Sequence, residues 1–465
     1  MGFSKRQLGV LLAARVVEPI SYTILFPFVN TMMEDVLPDV SKANIGRYSG
    51  AIESIFAFSS VLFMYQWGKL SDRIGRKPVI IGGLFGLSFS LFIFGISRTF
   101  WWAMIARAMG GALCGNSSVM RAVLGEMTTK ETEGWVYPLW SVCWDLSCVV
   151  GPTLGALLVD PSRQYPNSWV GTLRTFQQYP YLLPCAVVSS LSFSAMFLVL
   201  FGLEETHHNH KKHAEIKTLE PSERTLLLPE EPIDTIEALP PAHTFMELIS
   251  IAAVQQVLLS GFFLTLTAMS FDAVFVLFAY SSTRLGGLAL SPKSIALCLS
   301  IKGALSIILS LSFFPMAQRK FGTQMLYRIF AACWIVVYAI PPVMNALASG
   351  PHDEAWVADG SMKDMWFLMI PHLLLYVVGD WVFPLNMMAL NMAAPSPSSL
   401  GGLNGISLSV SALARSVGPA AIGSLYSVSA REQFPIVWLV FGGIAALSAL
   451  QSWRVKAQRE DEVEG

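Results

Sequence analysis

The chain has 465 residues, 53% of them hydrophobic and only 14% charged, and its mean hydropathy is +0.53. This composition excludes an ordinary soluble protein of this length, because so apolar a chain belongs mostly in lipid. A nucleic-acid partner is not expected either, since the net charge of -1 provides no basic surface.

Apolar windows of about 20 residues, the length that crosses the hydrocarbon layer as a helix, follow one another along the chain. Six lie near residues 8–30, 46–67, 78–97, 99–121, 135–158 and 180–202, and six more near 247–281, 293–315, 324–345, 365–389, 400–425 and 433–453. The first window contains Arg15 and Glu18 and has no small-residue cleavage site, so we interpret it as an uncleaved span. The predicted fold class is an all-α membrane protein with twelve transmembrane helices.

A dense run of charge separates the second and third windows, at residues 68–78. It contains Lys69, Arg73, Arg76 and Lys77, and loops rich in Lys and Arg are typical of the cytoplasmic side. An even number of spans returns the chain to the side on which it began. Both termini are therefore predicted to be cytoplasmic, and the plasma membrane and the vacuolar membrane are both compatible with the sequence.

A polar segment rich in Pro and in charge of both signs divides the chain, from about residue 203 to 244. It lacks apolar periodicity, so we predict a flexible cytoplasmic linker between an N-terminal six-helix half at 1–202 and a C-terminal half at 245–465. Two internal echoes suggest pseudo-symmetric halves, a recurrent design of secondary transporters. Loop 68–75 corresponds to 315–322, and Gly151-Pro152 to Gly418-Pro419.

Two short patterns lie within this linker. His207, His208, His210 and His213 either bind zinc or a similar cation loosely or belong to a solvated disordered segment, and no metal site is predicted because acidic and thiol ligands are missing. The run 223–228 matches an acidic dileucine sorting signal, a pattern that is too short to select one membrane.

Several ionisable residues lie inside the apolar windows, where an unpaired charge is costly and partners are expected. By depth, Glu18, Arg107 and Asp145 can meet across one cavity, and two further acid-base pairs are predicted: Asp272 with Lys302, and Asp380 with Arg415. A carboxylate whose pairing changes with conformation can load or release a proton. The alternative is that these charges only fix helix packing.

The charged loop predicts a cytoplasmic latch. Gly68 and Gly75 permit tight turns, and Asp72 can lie against a helix N-terminus. The basic residues Arg73, Arg76 and Lys77 can hold neighbouring helix ends, and Arg121 is the candidate partner of Asp72. The alternative is a loop that only sets topology.

Small residues and prolines in the fifth and eleventh windows predict helix bending, or alternatively simple close packing. They are Gly151, Pro152, Gly155, Gly418 and Pro419. Aromatic residues near the charged positions are candidates for a cavity lining: Trp140, Trp144, Phe271, Phe275, Tyr280, Tyr376, Trp381 and Phe383.

The loop at 68–78 resembles the signature between the second and third spans of the major facilitator superfamily. Arg107 with Gly111 and Gly115 resembles that superfamily's fourth-span pattern, and residues 147–156 resemble the fifth-span signature of its drug:proton antiporter branch. The surroundings of Arg15 and Glu18 and the run 402–419 are similar to fungal transporters related to the zinc-induced-facilitator group. The resemblance implies that the latch holds the outward-open state.

Neither a nucleotide-binding Gly-rich loop nor a hydrolase motif is present in the sequence, so no enzyme activity, catalytic residue or cofactor is expected. The leading hypothesis is a secondary active transporter that moves a small organic solute by alternating access, by proton-coupled efflux or antiport of the multidrug type. Its expected partners are the solute and protons, and it is expected to function as a monomer. The alternatives are a non-transporting membrane receptor, or an uncoupled facilitator of a sugar or a metal chelate.

Overall fold

The computed structural model describes residues 4–40, 42–206, 243–290, 292–348, 362–432 and 435–455, which form helices and connecting turns without β-strands. The α-helices are α1 (Lys5–Thr23), α2 (Val29–Val36), α3 (Lys42–Ile74), α4 (Arg76–Gly95), α5 (Phe100–Leu113), α6 (Asn116–Met127), α7 (Glu133–Leu158), α8 (Pro161–Gln164), α9 (Trp169–Thr172), α10 (Arg174–Gln178), α11 (Leu182–Gly202), α12 (Phe245–Ser250), α13 (Ala252–Tyr280), α14 (Pro292–Ser312), α15 (Phe314–Ala348), α16 (Met362–Asp380), α17 (Val382–Met392), α18 (Leu400–Glu432) and α19 (Ile436–Ser452).

Each of the twelve apolar windows contains helix, which agrees with the predicted fold class. Seven helical stretches in the described residues are long and apolar enough to cross a membrane by length and composition. The fourth and tenth windows are each divided near their middle, the fourth between α5 and α6 and the tenth between α16 and α17. Helix α3 runs well past the second window and carries the first part of the charged loop as far as Ile74.

The break between α5 and α6 has a side-chain cause. The indole Nε1 of Trp67 donates a hydrogen bond to the Ala112 carbonyl at 2.6 Å, so the Trp67 ring occupies the space beside Gly115. A Cβ at Gly115 would overlap that ring. The inserted ring and the glycine therefore accompany the interruption of the fourth span, as expected when a side chain enters a helical hydrogen-bond ladder.

The chain forms two compact units. The first comprises residues 1–129, 146–250 and 394–409, and the second comprises 130–145, 251–393 and 410–465. They differ from the predicted halves at 130–145 and 394–409, and the first unit extends to residue 250. The predicted domain boundaries at 202 and 245 therefore stay a prediction.

Specific contacts account for the two exchanged segments. Within the second unit, Gln318 Nε2 donates to Glu133 Oε1 at 2.8 Å and Asn391 Nδ2 donates to the Tyr137 hydroxyl at 2.9 Å. Within the first unit, the Ser409 hydroxyl donates to the Val61 carbonyl at 3.0 Å. Polar bonds thus attach each segment to the unit in which it packs.

Each unit has its own apolar core. In the first unit it includes Ile24, Phe28 and Phe94, together with Cys185 and Val188 of α11. In the second unit the core is dominated by aromatic rings from α13, α15, α16 and α19. The aromatic residues packed there include Phe271, Phe275, Trp334, Tyr338, Tyr376 and Trp438.

The two echoing loops share a backbone conformation. Gly75 has φ 99° and ψ 163°, and Gly322 has φ 73° and ψ 160°. Both φ values lie in the region that favours glycine, and in both loops a helix follows the glycine directly. The predicted correspondence between loops 68–75 and 315–322 therefore extends to backbone geometry.

We predict that Gly75→Ala lowers the unfolding free energy by about 1–3 kcal/mol, because a side chain is strained at this positive φ with ψ 163°. An added Cβ would also lie 2.6 Å from Glu205 Oε2 and disturb the carboxylate that caps α4. Thermal unfolding of the purified protein measures the change. Gly82→Ala in the same helix is the matched control, because nothing lies within 4 Å of its added Cβ, and an equal loss in both variants would contradict the backbone explanation.

Candidate functional site

An ion pair lies at the middle of the second unit. Lys302 Nζ of α14 lies 3.0 Å from Asp380 Oδ2 at the end of α16. Their side chains are 17% and 22% exposed, so the pair is partly accessible. The same ammonium lies 4.3 Å from the ring centroid of Tyr376, a cation-π distance. Lys302 is thus held by a carboxylate and an aromatic face of one helix.

Two further carboxylates accompany this pair. The Tyr376 hydroxyl donates to Asp272 Oδ1 of α13, and the Ser306 hydroxyl of α14 donates to Asp145 Oδ2. The negative charges that act on Lys302 are, in decreasing order, those of Asp380, Asp272 and Asp145. We call these four residues, Asp145, Asp272, Lys302 and Asp380, the acidic centre.

The pairing inside the acidic centre differs from the prediction. Lys302 was expected to pair with Asp272 and Asp380 with Arg415, whereas the short ion pair joins Lys302 to Asp380. Arg415 is half-buried on α18. The position of each residue along its helix was predicted well enough to group these residues. The direction in which each side chain points from its helix was not.

A second polar cluster lies in the first unit. Arg15 and Glu18 form an i,i+3 ion pair on α1 at 3.4 Å, and both are at least nine-tenths buried. The Ser117 hydroxyl donates to Glu18 Oε1 at 2.7 Å and accepts from Arg15 Nη1 at 3.0 Å. The Cys114 thiol also donates to Glu18 Oε1, at 3.3 Å. Glu18 therefore has its counter-charge on its own helix.

Arg107 is buried on α5, with 4% of its surface exposed. Its guanidinium carbon lies 4.3 Å above the Phe56 ring centroid, and Glu53 of α3 is the carboxylate that acts on it. The prediction grouped Arg107 with Glu18 and Asp145. Glu18 and Arg107 both act on Cys114 within the first unit, whereas Asp145 lies in the second unit, so its place in that group stays a prediction. Sequence reasoning had left Arg15 and Glu53 without a firm role, although both are charges inside apolar windows.

The charged loop is organised around one fully buried guanidinium, that of Arg76. Arg76 Nη1 lies 2.5 Å from Asp72 Oδ1, and Nη2 lies 2.8 Å from Glu126 Oε1. Nη1 also donates to the Ser71 hydroxyl at 2.7 Å. Glu126, at the end of α6, was not predicted as a partner, and it is recognisable in the sequence only as an acid near the inner end of the fourth window.

Asp72 binds a helix N-terminus, as the prediction proposed in general terms. It accepts hydrogen bonds from the backbone amides of Gly401 and Gly402 at 3.1 and 2.8 Å, in the first turn of α18. An anion at this end of a helix is favoured by the helix dipole. Burial raises the pKa of the Asp72 carboxyl, while the Arg76 charge and the two amides oppose that shift.

The predicted partner of Asp72 was Arg121, whereas the structure places Arg76 and the two amides against Asp72. Arg121 is half-buried on α6. The difference arises because Arg76 lies one helical turn beyond Asp72 across the Gly75 bend, where its side chain folds back on the preceding helix.

Close backbone contact accompanies this ionic cluster. Cβ atoms at Gly68 and Gly401 would overlap the facing helix, so α3 and α18 meet at glycine. The Glu205 carboxylate accepts from the amides of Arg76 and Lys77 at 2.9 and 3.1 Å and caps α4. Arg73 is exposed. We call the set Asp72, Arg76, Glu126, Gly401 and Gly402 the latch.

The predicted bending residues lie within continuous helices. Pro152 is inside α7 and Pro419 inside α18. A Cβ at Gly151 would overlap Thr23 at the end of α1, and a Cβ at Gly155 would overlap the Ile24 carbonyl that follows it. Gly418 faces Ser270 and Leu266 of α13. These glycines therefore permit close helix packing. Their role in bending stays a prediction.

The histidine cluster and the dileucine pattern lie outside the described residues, as does most of the predicted linker. Of the described linker residues, the Thr206 hydroxyl donates to Glu126 Oε2 at 2.6 Å. At the other end, the His243 amide donates to the Ser399 hydroxyl at 3.0 Å, just before α18 begins. Both ends of the segment are thus attached beside the latch.

Comparison with known proteins agrees with this arrangement. The sequence profile described as Major Facilitator Superfamily matches residues 11–358. Efflux pump azaK of Aspergillus niger is 29% identical over 96% of this chain and 87% of its own length. Protein ZINC INDUCED FACILITATOR-LIKE 1 of Arabidopsis thaliana is 27% identical over 88% of this chain and 81% of its own length. The resemblance drawn from the sequence motifs is confirmed.

A solved structure shows the same fold. The human organic anion transporter MFSD10 superposes with a TM-score of 0.70 at 16% identity, over 96% of this chain and 99% of that one. At this identity the likeness concerns the fold, and it supports twelve helices in two six-helix halves.

We predict that Arg76→Ala lowers the unfolding free energy by about 3–5 kcal/mol, because removal of one partner leaves buried charges uncompensated. Thermal or denaturant unfolding in detergent measures the loss. Arg73→Ala removes the same charge from an exposed position of the same loop and is expected to change stability by less than about 0.5 kcal/mol. Equal effects of the two variants would show that loop charge, and not the buried latch, determines stability.

Proposed function

Since the chain belongs to the Major Facilitator Superfamily, and is therefore a multi-pass membrane transporter of small molecules and not an enzyme, we propose that it exchanges an organic solute for protons. The observation that supports this most directly is the charge balance of the acidic centre. Three carboxylates share a single ammonium there, which leaves two negative charges when all are ionised. Within a membrane such an excess is costly unless protons or a cationic group neutralise it.

The contacts of Lys302 indicate how protonation is coupled to rearrangement. While Asp380 is ionised, it holds the ammonium at 3.0 Å. Protonation of Asp380 removes that attraction, and the ammonium is then drawn toward Asp272 or Asp145, the other carboxylates that act on it. The Tyr376 ring provides a face along which the cation moves without losing all of its stabilisation. Proton binding therefore changes the charge that a solute meets.

The two units supply chemically different groups. The first contributes the Arg15–Glu18 pair and the buried Arg107, and the second contributes the acidic centre. We assign Glu18, Arg107, Asp145, Asp272, Lys302, Asp380 and Arg415 to proton coupling or solute contact. In this proposal the latch stabilises one conformation of the alternating-access cycle, and Arg73, Lys77 and Arg121 support it.

Export is the proposed direction, supported by the relative whose name is Efflux pump azaK. The basic loop at 68–78 favours a cytoplasmic location for that loop and for both termini. A single chain contains both units, which is consistent with a functional monomer. The membrane is the plasma membrane or the vacuolar membrane.

We predict that purified protein in proteoliposomes moves protons when a transported solute is added, and that Asp380→Asn abolishes this movement. The readout is lumenal pH during addition of tetraphenylphosphonium, tetracycline, xylose, amino acids and a zinc chelate in turn. The variant keeps side-chain volume and a hydrogen-bonding group but cannot bind the coupling proton. The expected loss is at least about tenfold in rate, as for removal of an essential proton-transfer group.

Asp39→Asn is the matched control, since it makes the same chemical change at an exposed position outside the acidic centre. It is expected to retain the proton movement of the parent protein. Saturable uptake of a labelled solute without any pH change in the parent protein would replace antiport by facilitated diffusion. Normal coupling in Asp380→Asn would remove Asp380 from the mechanism.

A further inference from the structure

A histidine lies in the aromatic core of the second unit. His372 of α16 is fully buried, and its ring centroid lies 5.6 Å from that of Phe271 and 6.3 Å from that of Phe275. Neither ring nitrogen has a hydrogen-bond partner among the described residues. A buried polar group without a hydrogen bond destabilises the fold, so an apolar side chain would suit packing better. Packing therefore does not explain a histidine here.

The position of His372 connects it with the acidic centre. His372, Tyr376 and Asp380 are spaced i, i+4 and i+8, and therefore follow one another along one face of α16. At a rise of about 1.5 Å per residue, Tyr376 lies about 6 Å farther along the helix. Its hydroxyl donates to Asp272, the residue after Phe271. A titratable ring thus lies one turn from a hydroxyl that is already bonded to a carboxylate.

A cavity of about 420 Å³ lies near the same aromatic core. Its lining includes Arg284, Asn345, Tyr426 and Trp438, all in the second unit. The Trp438 ring contacts Phe271 at 6.5 Å between centroids. Phe271 therefore contacts both a residue of the cavity wall and the pair His372–Tyr376.

The helices at this level are locally weakened. Pro371 immediately precedes His372 inside α16, and Pro341 and Pro342 lie inside α15, with Pro342 at the cavity. Proline has no amide hydrogen, so each one removes a bond of the helical ladder. Such positions open to water at lower cost than an intact helix does. These prolines therefore lie along the path that water has to take from the cavity to the imidazole of His372.

We propose that His372 carries protons between this cavity and the acidic centre, by a route that lies within the second unit. The inference rests on the proposed proton coupling. A ring nitrogen takes a proton from water in the cavity and forms an imidazolium. The opposite N–H then gives a proton to the Tyr376 oxygen while the Tyr376 hydroxyl proton passes to Asp272, which leaves neutral His372, neutral Tyr376 and protonated Asp272.

The titratable groups on the elements packed around His372 define its electrostatic surroundings. On the described parts of these helices they are Asp272 and Tyr280 on α13, Cys298 and Lys302 on α14, Arg319, Lys320, Tyr327, Arg328, Cys333 and Tyr338 on α15, Tyr376 and Asp380 on α16, and Arg415, Tyr426 and Glu432 on α18. Helix α19 contributes none. Asp272 is the nearest acid along the proposed route, so its charge is expected to favour the imidazolium.

The test follows the protonation of His372 directly, without a solute. The full chain, labelled with ¹⁵N-histidine and reconstituted in nanodiscs, is titrated by NMR, and His372→Gln identifies the signal of this residue among the seven histidines. We expect the His372 ring to become charged as the pH is lowered from 8 to 4. We expect Asp272→Asn to lower the titration midpoint by at least about 0.5 pH units, since a nearby negative charge is lost.

Asp39→Asn, far from these groups in sequence and on the first unit, is expected to leave the midpoint unchanged. A ring that stays neutral from pH 4 to pH 9, or a midpoint that is the same in Asp272→Asn, would overturn the proposal. These outcomes do not depend on whether a solute has been identified.

His372→Phe separates proton transfer from packing in the proteoliposome assay. A packing role predicts that Phe preserves proton movement, because it fills the aromatic core without an unbonded polar group. A carrier role predicts loss of proton movement in both His372→Phe and His372→Gln, with normal unfolding. If the parent protein moves protons and His372→Phe moves them equally fast, the carrier role fails while antiport stands; if the parent moves none, antiport itself fails.

Discussion

The cost of an uncompensated charge in a low-dielectric interior governs the arrangement of polar groups in both units. Arg76 is fully buried and is neutralised by Asp72 and Glu126, whereas Arg15 has Glu18 on its own helix. Pairing of this kind fixes helix ends and helix rotation. The acidic centre is different, because three carboxylates share one lysine. Because a buried charge needs a counter-charge, the latch is stabilised by its own ion pairs. The acidic centre has an excess of negative charge, which a proton or a cationic solute has to neutralise.

Aromatic side chains provide the second organising element of the acidic centre. Tyr376 contacts Lys302 through its ring and Asp272 through its hydroxyl. Its ring also packs edge-on against Phe271, which belongs to the core of the second unit. One side chain therefore joins a cation, an acid and the apolar core. A displacement of Lys302 or a change in the charge of Asp272 is transmitted to packing through this residue.

Hydropathy and charge predicted the fold well, because a span needs about 20 apolar residues and such windows are evident in the sequence. The latch loop was recognisable for the same reason, since it is a cluster of charges between two windows. Partners within the spans were harder to predict. Window boundaries are uncertain by several residues, which is about one helical turn, so depth can be estimated while direction around the axis cannot. The sequence analysis accordingly paired Asp380 with Arg415 and not with Lys302. It did not single out His372, which lies within an apolar window.

Gly75 and Gly322 adopt the same backbone conformation at positive φ, yet the residues around them differ in charge. Arg319 occupies the position that corresponds to Asp72, so the second loop has the bend without the anion. The backbone bend and the latch are thus separable features of one structural repeat. The loop at Gly322 has the same backbone bend without the charged residues of the latch. Comparison of the two loops therefore separates the contribution of the bend from that of the latch.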